Sequence, residues 1–173
     1  MLAYVFSHRA AAGADIAVYE DLMRRFHGAL AGSPPPGFVR SATFRAAGGY
    51  VDWYLIESSA ALDALNQAAI SGRRSRPHDA VAQMAAEGSG KLMTLTVGPP
   101  ELQAGFEVRF SKPKGVSYAG LDSLLEPWTR RTGVSVWKRM MVLGPPPEFS
   151  LLTPAHLELP AETSPQLLRL EAL

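Results

Sequence analysis

The feature that most constrains the fold is a predicted β-hairpin over residues 37–56, whose pattern is repeated at residues 133–152. In the first copy, two runs rich in β-branched and aromatic residues flank Gly48 and Gly49, a pair suited to a tight turn. In the second copy the turn is Gly-Pro-Pro-Pro, which ends strand pairing because proline has no amide hydrogen to donate. Aligning the copies superposes their turns and return strands, so the chain is interpreted as a doubled small unit.

The first copy belongs to a predicted unit over residues 1–98 with the order β-α-β-β-α-α-β. Apolar residues at helical spacing predict the first helix, and Asp15 is well suited to cap it. The third helix is expected to start near Pro77 and to end at Gly88, before a strand.

Residues 99–105 are rich in proline and glycine and are the predicted linker to a second, shorter unit over residues 106–173. That unit is expected to contain a strand, a helix capped by Ser117 and the second hairpin. Pro127 is expected to kink or end the helix. The last residues, 167–173, are interpreted as a closing strand, with a helix as the open alternative.

Bulk composition excludes several classes of protein and site. The 173 residues include 17 basic and 16 acidic side chains, so no overall field attracts nucleic acid or an anionic membrane, and neither partner is expected. The absence of cysteine excludes disulfides and thiolate metal sites. The first apolar run is too short for a signal peptide, and no run of about 20 apolar residues could span a bilayer. We therefore expect a soluble, cytoplasmic protein.

Two such units in succession resemble the ferredoxin-like halves of the dimeric α+β barrel superfamily, which includes antibiotic-biosynthesis-monooxygenase-like and NIPSNAP-like proteins. The resemblance covers about residues 2–152 and depends on element order and the aromatic hairpins. It implies an α+β fold in which both halves, with antiparallel sheets, lie in one chain as a barrel-like arrangement. It also implies a range of activities that includes cofactor-free monooxygenases, haem enzymes and small isomerases. Because these share no catalytic motif, no functional residue is transferred.

The histidines supply the first candidate site residues. None of the four pairs with another at a metal-ligand spacing, so no metal site is expected. His27 follows Phe26 at the edge of the first helix's apolar stripe, where it is either a structural residue or an acid/base group or haem ligand. His78, at the start of a helix, lies in a basic cluster with Arg73, Arg74 and Arg76. This cluster is either an anion-binding site or a solvated loop.

The strand faces supply the remaining candidates. Alternation places Trp53 on one face of its strand and Asp52 on the other, with aromatic residues on both. A buried Arg40 or Arg139 would need a carboxylate, for which Asp52 and Glu148 are the nearest candidates. The predicted ligand contacts are Tyr4, Trp53 and Trp137, and the candidate catalytic residues are His27, Arg40 and Arg139. The competing interpretation is that the aromatic side chains are ordinary core.

The leading functional hypothesis is a small-molecule-binding protein whose two sheets enclose an aromatic-walled cavity. Its chemistry would be that of a cofactor-free monooxygenase or isomerase acting on a small aromatic or polyketide-like compound. No nucleotide-binding fingerprint is present, and no cofactor is expected. The alternatives are a non-catalytic oligomerisation module with a packed centre and a haem-binding barrel. Either a monomer with pseudo-dimer symmetry or a homodimer fits the doubled pattern.

Overall fold

The computed structural model describes residues 1–72, 75–141 and 144–173 and divides the chain into two compact units. Unit 1 comprises Met1–Leu92 and Glu171–Leu173, and unit 2 comprises Met93–Leu170. The division falls within a long strand, and the predicted linker at residues 99–105 follows that strand inside unit 2. Arg73 and Arg74 of the predicted anion site lie outside the described residues.

The elements follow one another in the predicted general order. Unit 1 contains β1 (Leu2–Ala10), α1 (Ile16–Gly32), β2 (Phe38–Ala46), β3 (Gly49–Ile56), α2 (Ala61–Ala69), α3 (Ser75–Met84) and the start of β4 (Ala85–Val97). Unit 2 contains the end of β4, then β5 (Phe106–Phe110), α4 (Tyr118–Thr129), β6 (Ser135–Arg139), β7 (Phe149–Thr153), a 3₁₀ turn (Ala161–Thr163) and β8 (Gln166–Arg169). A final short strand, β9 (Glu171–Ala172), belongs to unit 1.

Both units have the same strand order. In unit 1 the order is β4-β1-β3-β2, with β9 paired to the outer edge of β2. In unit 2 it is β8-β5-β7-β6, and the last residues of β4 pair with β6. Numbered along the chain, the strands of each unit are arranged 4-1-3-2, and the registered pairs are antiparallel. This confirms the predicted α+β fold of two ferredoxin-like units.

Local sequence signals explain the elements that frame unit 1. The Asp15 carboxylate caps α1 by accepting hydrogen bonds from the amides of Ala17 and Val18, at 2.9 and 3.2 Å. The β2–β3 hairpin closes at the Ala46–Gly49 pair. A side chain at Gly49 would place a Cβ 2.3 Å from the carbonyl oxygen of residue 8, so only glycine fits this turn.

The structure decides three expectations about element ends. α3 ends at Met84 and β4 starts at Ala85, so Gly88 lies in a strand and does not end a helix. Pro127 does not end α4, which continues to Thr129. Backbone hydrogen bonding continues past the proline, since Arg130 N donates to Glu126 O at 3.3 Å. The C-terminal residues form β8 and β9, which supports the strand interpretation over the helix.

Each unit has its own apolar core on the helix-facing side of its sheet. In unit 1, α1 contributes Tyr19, Met23, Phe26 and Leu30 to this core. In unit 2, α4 contributes Leu121 and Leu125. Among the described residues, no helix combines the length and the hydrophobicity needed to cross a membrane.

Candidate functional site

A cavity of about 700 Å³ lies within unit 1, on the helix-facing side of its sheet. Residues from β1, β3, α1, α2, α3 and the start of β4 line it. The rings among these residues are Tyr4, Phe6, His8, Tyr19, Phe26, His27, Tyr54 and His78. A volume of this size is in the range of sites that bind small organic ligands.

Strand alternation and register bring the polar residues of the cavity together. Tyr4, Phe6 and His8 are two residues apart on β1, so their side chains share one face. The antiparallel register places Phe6 opposite Asp52, and Tyr4 opposite Tyr54. The rings form a continuous aromatic surface in which Tyr4 stacks on Phe6 at 6.3 Å and Phe6 stacks on His8 at 5.4 Å.

Three buried side chains form a hydrogen-bonded line at the cavity wall. His8 Nε2 lies 3.2 Å from Asp52 Oδ2, and the Tyr19 hydroxyl lies 2.6 Å from His8 Nδ1. An ionised carboxylate only accepts, so the imidazole tautomer that satisfies both contacts carries its proton on Nε2 and accepts from the phenol at Nδ1. The exposed fractions of Tyr19, His8 and Asp52 are 0, 4 and 6%. The arrangement is a Tyr19–His8–Asp52 relay that can carry a proton from the phenol to the imidazole.

A second imidazole flanks the same carboxylate. His27 Nδ1 lies 2.7 Å from the Ser41 hydroxyl, and Nε2 lies 2.6 Å from the Thr43 hydroxyl. Both hydroxyls come from β2, where they are two residues apart. His27 Nε2 is 3.6 Å from Asp52 Oδ1, beyond hydrogen-bonding distance, and its ring stacks on Tyr54 at 5.2 Å.

Asp52 therefore uses its two oxygens unequally. Oδ2 accepts from His8 and also from the Tyr54 hydroxyl, which lies 3.1 Å away. Oδ1 is buried and accepts no hydrogen bond from any described residue. A buried carboxylate oxygen without a donor is energetically costly, and such exceptions are found at functional sites.

The surroundings shift the acidity of these groups in opposite directions. Burial alone would raise the pKa of Asp52, but His27 and His8 beside it outweigh burial and hold the pKa below its ordinary value of 3.8. Burial, followed by the charge of Asp52, raises the pKa of Tyr19 and of Tyr54 well above 10.0. The same two causes raise the pKa of Tyr4. The site thus pairs an ionised carboxylate with phenols that keep their protons.

Neither a family model nor a curated protein matches this chain. Two solved structures match nearly all of it. A proposed monooxygenase from Lactobacillus acidophilus NCFM has a TM-score of 0.57 and 12% identity, covering 99% of this chain and 93% of that chain. A proposed chlorite dismutase has a TM-score of 0.55 and 11% identity, covering 98% of this chain and 94% of that chain.

The chain shares the α+β fold of these two structures over nearly its whole length. This confirms the fold implied by the doubled hairpin pattern. A third structure is SnoaB, a cofactor-independent oxygenase from Streptomyces nogalater, with 20% identity and a TM-score of 0.45 over 58% of this chain and 97% of that chain. A TM-score this low adds nothing to the assignment of the fold.

Three of the candidate residues predicted from sequence meet at the cavity. Tyr4, His27 and His78 all line it. His78 Nδ1 is 3.1 Å from Asp79 Oδ1, and its ring meets Phe26 edge-on at 5.6 Å. Arg76, the other described member of the predicted anion cluster, is exposed on α3 and does not line the cavity.

The remaining candidates lie elsewhere in the fold. Trp53 is fully buried and pairs with Val5 on the face of β3 opposite Asp52, and Arg40 pairs with Leu55 on that same face. The expectation that Asp52 neutralises Arg40 is therefore wrong, because the two side chains leave the sheet on opposite sides.

Unit 2 contains the last two candidates. Trp137 is fully buried and donates from Nε1 to the Ser135 hydroxyl at 3.0 Å. Arg139 donates to the carbonyl oxygens of Pro145 and Gly144 at 2.6 and 2.7 Å. Neither residue lines the cavity of unit 1. The roles of Trp137 as a ligand contact and of Arg139 as a catalytic residue stay predictions.

Sequence reasoning missed four residues of the polar cluster, namely His8, Tyr19, Asp52 and Tyr54, as functional groups. One signal was available: Tyr4-x-Phe6-x-His8 places a histidine on the same strand face as two aromatic residues. A histidine in that position belongs to a buried layer, so it needs a polar partner within that layer.

Proposed function

We propose that unit 1 binds a small planar aromatic compound with a phenolic hydroxyl group and removes its proton through the Tyr19–His8–Asp52 relay. The observation that carries this proposal is the relay itself, a buried line of hydrogen bonds at the wall of a cavity of about 700 Å³. The aromatic walls suit a flat ligand, since rings pack favourably in offset stacks or edge to face.

In the proposed step, the ligand hydroxyl gives its proton to the Tyr19 oxygen while Tyr19 gives its own proton to His8 Nδ1. His8 keeps its Nε2 proton, which stays hydrogen-bonded to Asp52. The products are therefore a phenolate ligand and an imidazolium paired with a carboxylate. Total charge is conserved, and the new positive charge forms 3.2 Å from Asp52 Oδ2. Positioned proton transfer of this kind contributes about 10²- to 10⁴-fold to a rate.

The phenolate can then follow either of two routes. Return of the proton to a ring carbon completes an isomerisation. Alternatively, the phenolate transfers electrons to dioxygen, and the ring CH carbon that is CH₂ in the keto form becomes a carbonyl. One oxygen atom enters the ring, and the other leaves as water with the hydrogen of that carbon and the proton held by His8. The full-length fold similarity to a proposed monooxygenase supports the oxygenase route, although fold analogy alone does not assign chemistry.

The two rival hypotheses account less well for the site. A non-catalytic module with a packed centre gives no reason for a cavity of about 700 Å³ lined by histidines and an ionised carboxylate. His27 does not fit the role of a haem ligand, because both ring nitrogens are within 2.7 Å of the Ser41 and Thr43 hydroxyls. The chamber between the two sheets stays a prediction, because the residues that line the cavity all belong to unit 1.

Anthrone is a suitable probe because its enol form is a polycyclic phenol. Deuterium exchange from D₂O into its CH₂ group, followed by mass spectrometry, measures proton transfer on either route. Oxygen uptake with formation of anthraquinone measures the oxygenase route. The protein is expected to accelerate exchange, and Tyr19→Phe is expected to reduce the acceleration by about 10²- to 10⁴-fold with binding retained.

Tyr118→Phe is the matched control, because Tyr118 belongs to unit 2 and is 45% exposed. It removes the same hydroxyl group without touching the relay and should leave the exchange rate unchanged. Exchange no faster than in buffer, or equal rates for wild type and Tyr19→Phe, would refute the proposed relay.

A further inference from the structure

The permanently charged groups that line the cavity are all negative. Its described lining residues include three carboxylates, Asp52, Asp63 and Glu87, and three histidines, His8, His27 and His78, but no lysine or arginine. Glu87 is exposed and forms an ion pair with Arg9 at 3.2 Å, and Asp63 lies in the first turn of α2, so both belong to the rim. Asp52 is the charge within the wall. A ligand that carries a carboxylate, phosphate or sulfate would meet repulsion from Asp52 and would find no lysine or arginine among the described lining residues.

The charge of Asp52 has unused capacity for a partner. Oδ1 accepts no hydrogen bond from the described residues, and the nearest imidazole nitrogen, His27 Nε2, is 3.6 Å away and bonded to Thr43 at 2.6 Å. Buried charges in proteins are normally paired, because an isolated charge loses its hydration without compensation. His8 pairs with Oδ2, and an ammonium group on the ligand would supply the hydrogen bond that Oδ1 lacks.

The rings around Asp52 favour the same kind of ligand. Tyr4 and Phe6 stack on each other, and Tyr54 tilts against Tyr4 at 6.1 Å. The faces of aromatic rings carry negative electrostatic potential and attract ammonium groups within about 6 Å of their centroids. These rings and the buried carboxylate are therefore both complementary to a cation, the rings through their faces and the carboxylate through its charge.

We infer that the ligand of unit 1 is a hydroxylated aromatic amine, bound as its ammonium form, and that it carries no anionic group. This inference rests on the proposed function for the location of the site and for the phenolic hydroxyl. The hydroxyl meets the relay through Tyr19, and the ammonium group offsets the charge of Asp52 on its Oδ1 side.

Three naphthalene compounds that differ mainly in charge test the inference by equilibrium fluorescence titration. They are 2-naphthylmethylamine, protonated at pH 7, its neutral analogue 2-naphthylmethanol, and the anion 2-naphthoate. We expect the ammonium compound to bind at least about tenfold more tightly than the alcohol, and the alcohol about tenfold more tightly than the carboxylate.

Asp52→Asn should abolish the preference for the ammonium compound while keeping the alcohol bound. Asp21→Asn is the matched control, since Asp21 is a half-exposed α1 residue paired with Arg25 at 2.7 Å and its loss changes the net charge equally. It should leave the order of affinities unchanged. If Asp52→Asn fails to fold, the order measured on the wild-type protein decides the inference by itself.

The outcomes separate this inference from the proposed function. If the alcohol or the carboxylate binds as tightly as the amine, His27 is the better counter-ion of Asp52 and the amine inference is overturned, while the relay proposal is unaffected. If none of the three compounds binds and anthrone does not bind either, the proposed function fails as well.

Discussion

The helix-facing side of the sheet is built differently in the two units, although both have the strand order 4-1-3-2. In unit 1 this face surrounds a cavity and carries Tyr4, Phe6, His8, Asp52 and Tyr54. In unit 2 the corresponding face is a buried apolar cluster that contains Val108, Phe110, Val136, Phe149 and Leu151 beneath α4. One strand order therefore supports a hollow polar layer in one unit and a packed apolar layer in the other.

Unit 2 keeps its buried charge on the opposite face of its sheet. Glu107 is fully buried and flanks Val108, so alternation directs its side chain away from α4. It accepts from Arg109 through both carboxylate oxygens, at 3.0 and 3.1 Å, and from the Ser150 hydroxyl at 2.7 Å. Glu107 is thus bound by its own strand and neighbours, whereas Asp52 has an oxygen left for a ligand. The two buried carboxylates therefore differ in whether both oxygens accept hydrogen bonds from the protein, and this difference makes Asp52 the candidate for binding a ligand.

The largest expected effect comes from truncating the packed apolar layer of unit 2. Leu151→Ala should lower the free energy of unfolding by about 2–5 kcal/mol, because Leu151 is fully buried and its removal creates a new void. Leu65→Ala in unit 1 should cost less, since Leu65 already borders a cavity. Urea denaturation of both variants measures the difference. Equal losses would mean that Leu65 is packed as tightly as Leu151 and that the neighbouring cavity does not reduce the cost of truncation.

Breaking the ion pair of unit 2 should have the next largest effect. Arg109→Met removes both charge-assisted bonds to Glu107 and should cost about 3 kcal/mol, because a charge without its ionic partner is left fully buried. Arg45→Met in unit 1 is the comparison. Arg45 joins the buried Glu20 to Glu171, but its side chain is 47% exposed, so the loss should be smaller. A larger loss for Arg45→Met would reverse this ranking of the two carboxylates.

The fold followed from short-range signals in the sequence. Asp15 and Ser117 cap α1 and α4 as predicted, and Gly48 and Gly49 mark the turn that joins β2 to β3. These features were readable because each depends on residues within a few positions of one another. The predicted end of α3 is wrong because a glycine in that sequence context is typical of a helix end. In the structure, Gly88 is needed because a Cβ there would clash with the ring of Phe6, which is far away in the sequence.

The site was less accessible from the sequence because it depends on register. His8 and Asp52 are 44 residues apart, and only the pairing of β1 with β3 brings them together. Alternation separates Trp53 from Asp52, but both faces of β3 carry aromatic rings, so alternation does not reveal which face the helices cover. Because the covered face was not identifiable, the sequence predicted Trp53 as a ligand contact although it lies on the face opposite Asp52. His27 and Tyr4 were identifiable because each belongs to an element whose buried side the apolar pattern defines.

Acid should affect unit 1 through Asp52. Because the folded protein holds the pKa of Asp52 below its ordinary value of 3.8, ionised Asp52 stabilises the fold above that pH, and this stabilisation is lost as the pH falls through the lowered pKa. Asp52→Asn should therefore be less stable than wild type by on the order of 2 kcal/mol at pH 7, with a smaller gap below about pH 4. Urea denaturation at both pH values measures the gap.

Asp21→Asn serves as the control for this acid dependence, because Asp21 is half-exposed and should contribute little at either pH. Glu20 also has a lowered pKa, caused first by its hydrogen bond from Arg45, but it is present in both proteins and cancels in the comparison. A gap between wild type and Asp52→Asn that stays constant or widens in acid would contradict the assignment of Asp52 as the stabilising anion.

The smallest expected effect concerns how β4 makes room for the cavity. Within β4, glycine occurs only before Leu92, where the strand belongs to unit 1, and a Cβ at Gly88 would lie 2.6 Å from the Phe6 ring. Gly88→Ala should displace that ring into the cavity and weaken 2-naphthylmethylamine binding by about tenfold, or about 1.4 kcal/mol. Gly28→Ala, in α1 with nothing within 4 Å of its Cβ, should leave binding unchanged and stabilise the helix by about 1 kcal/mol. If Gly88→Ala binds the amine normally, the ring has moved away from the cavity, and the hollow layer of unit 1 does not depend on glycine in β4.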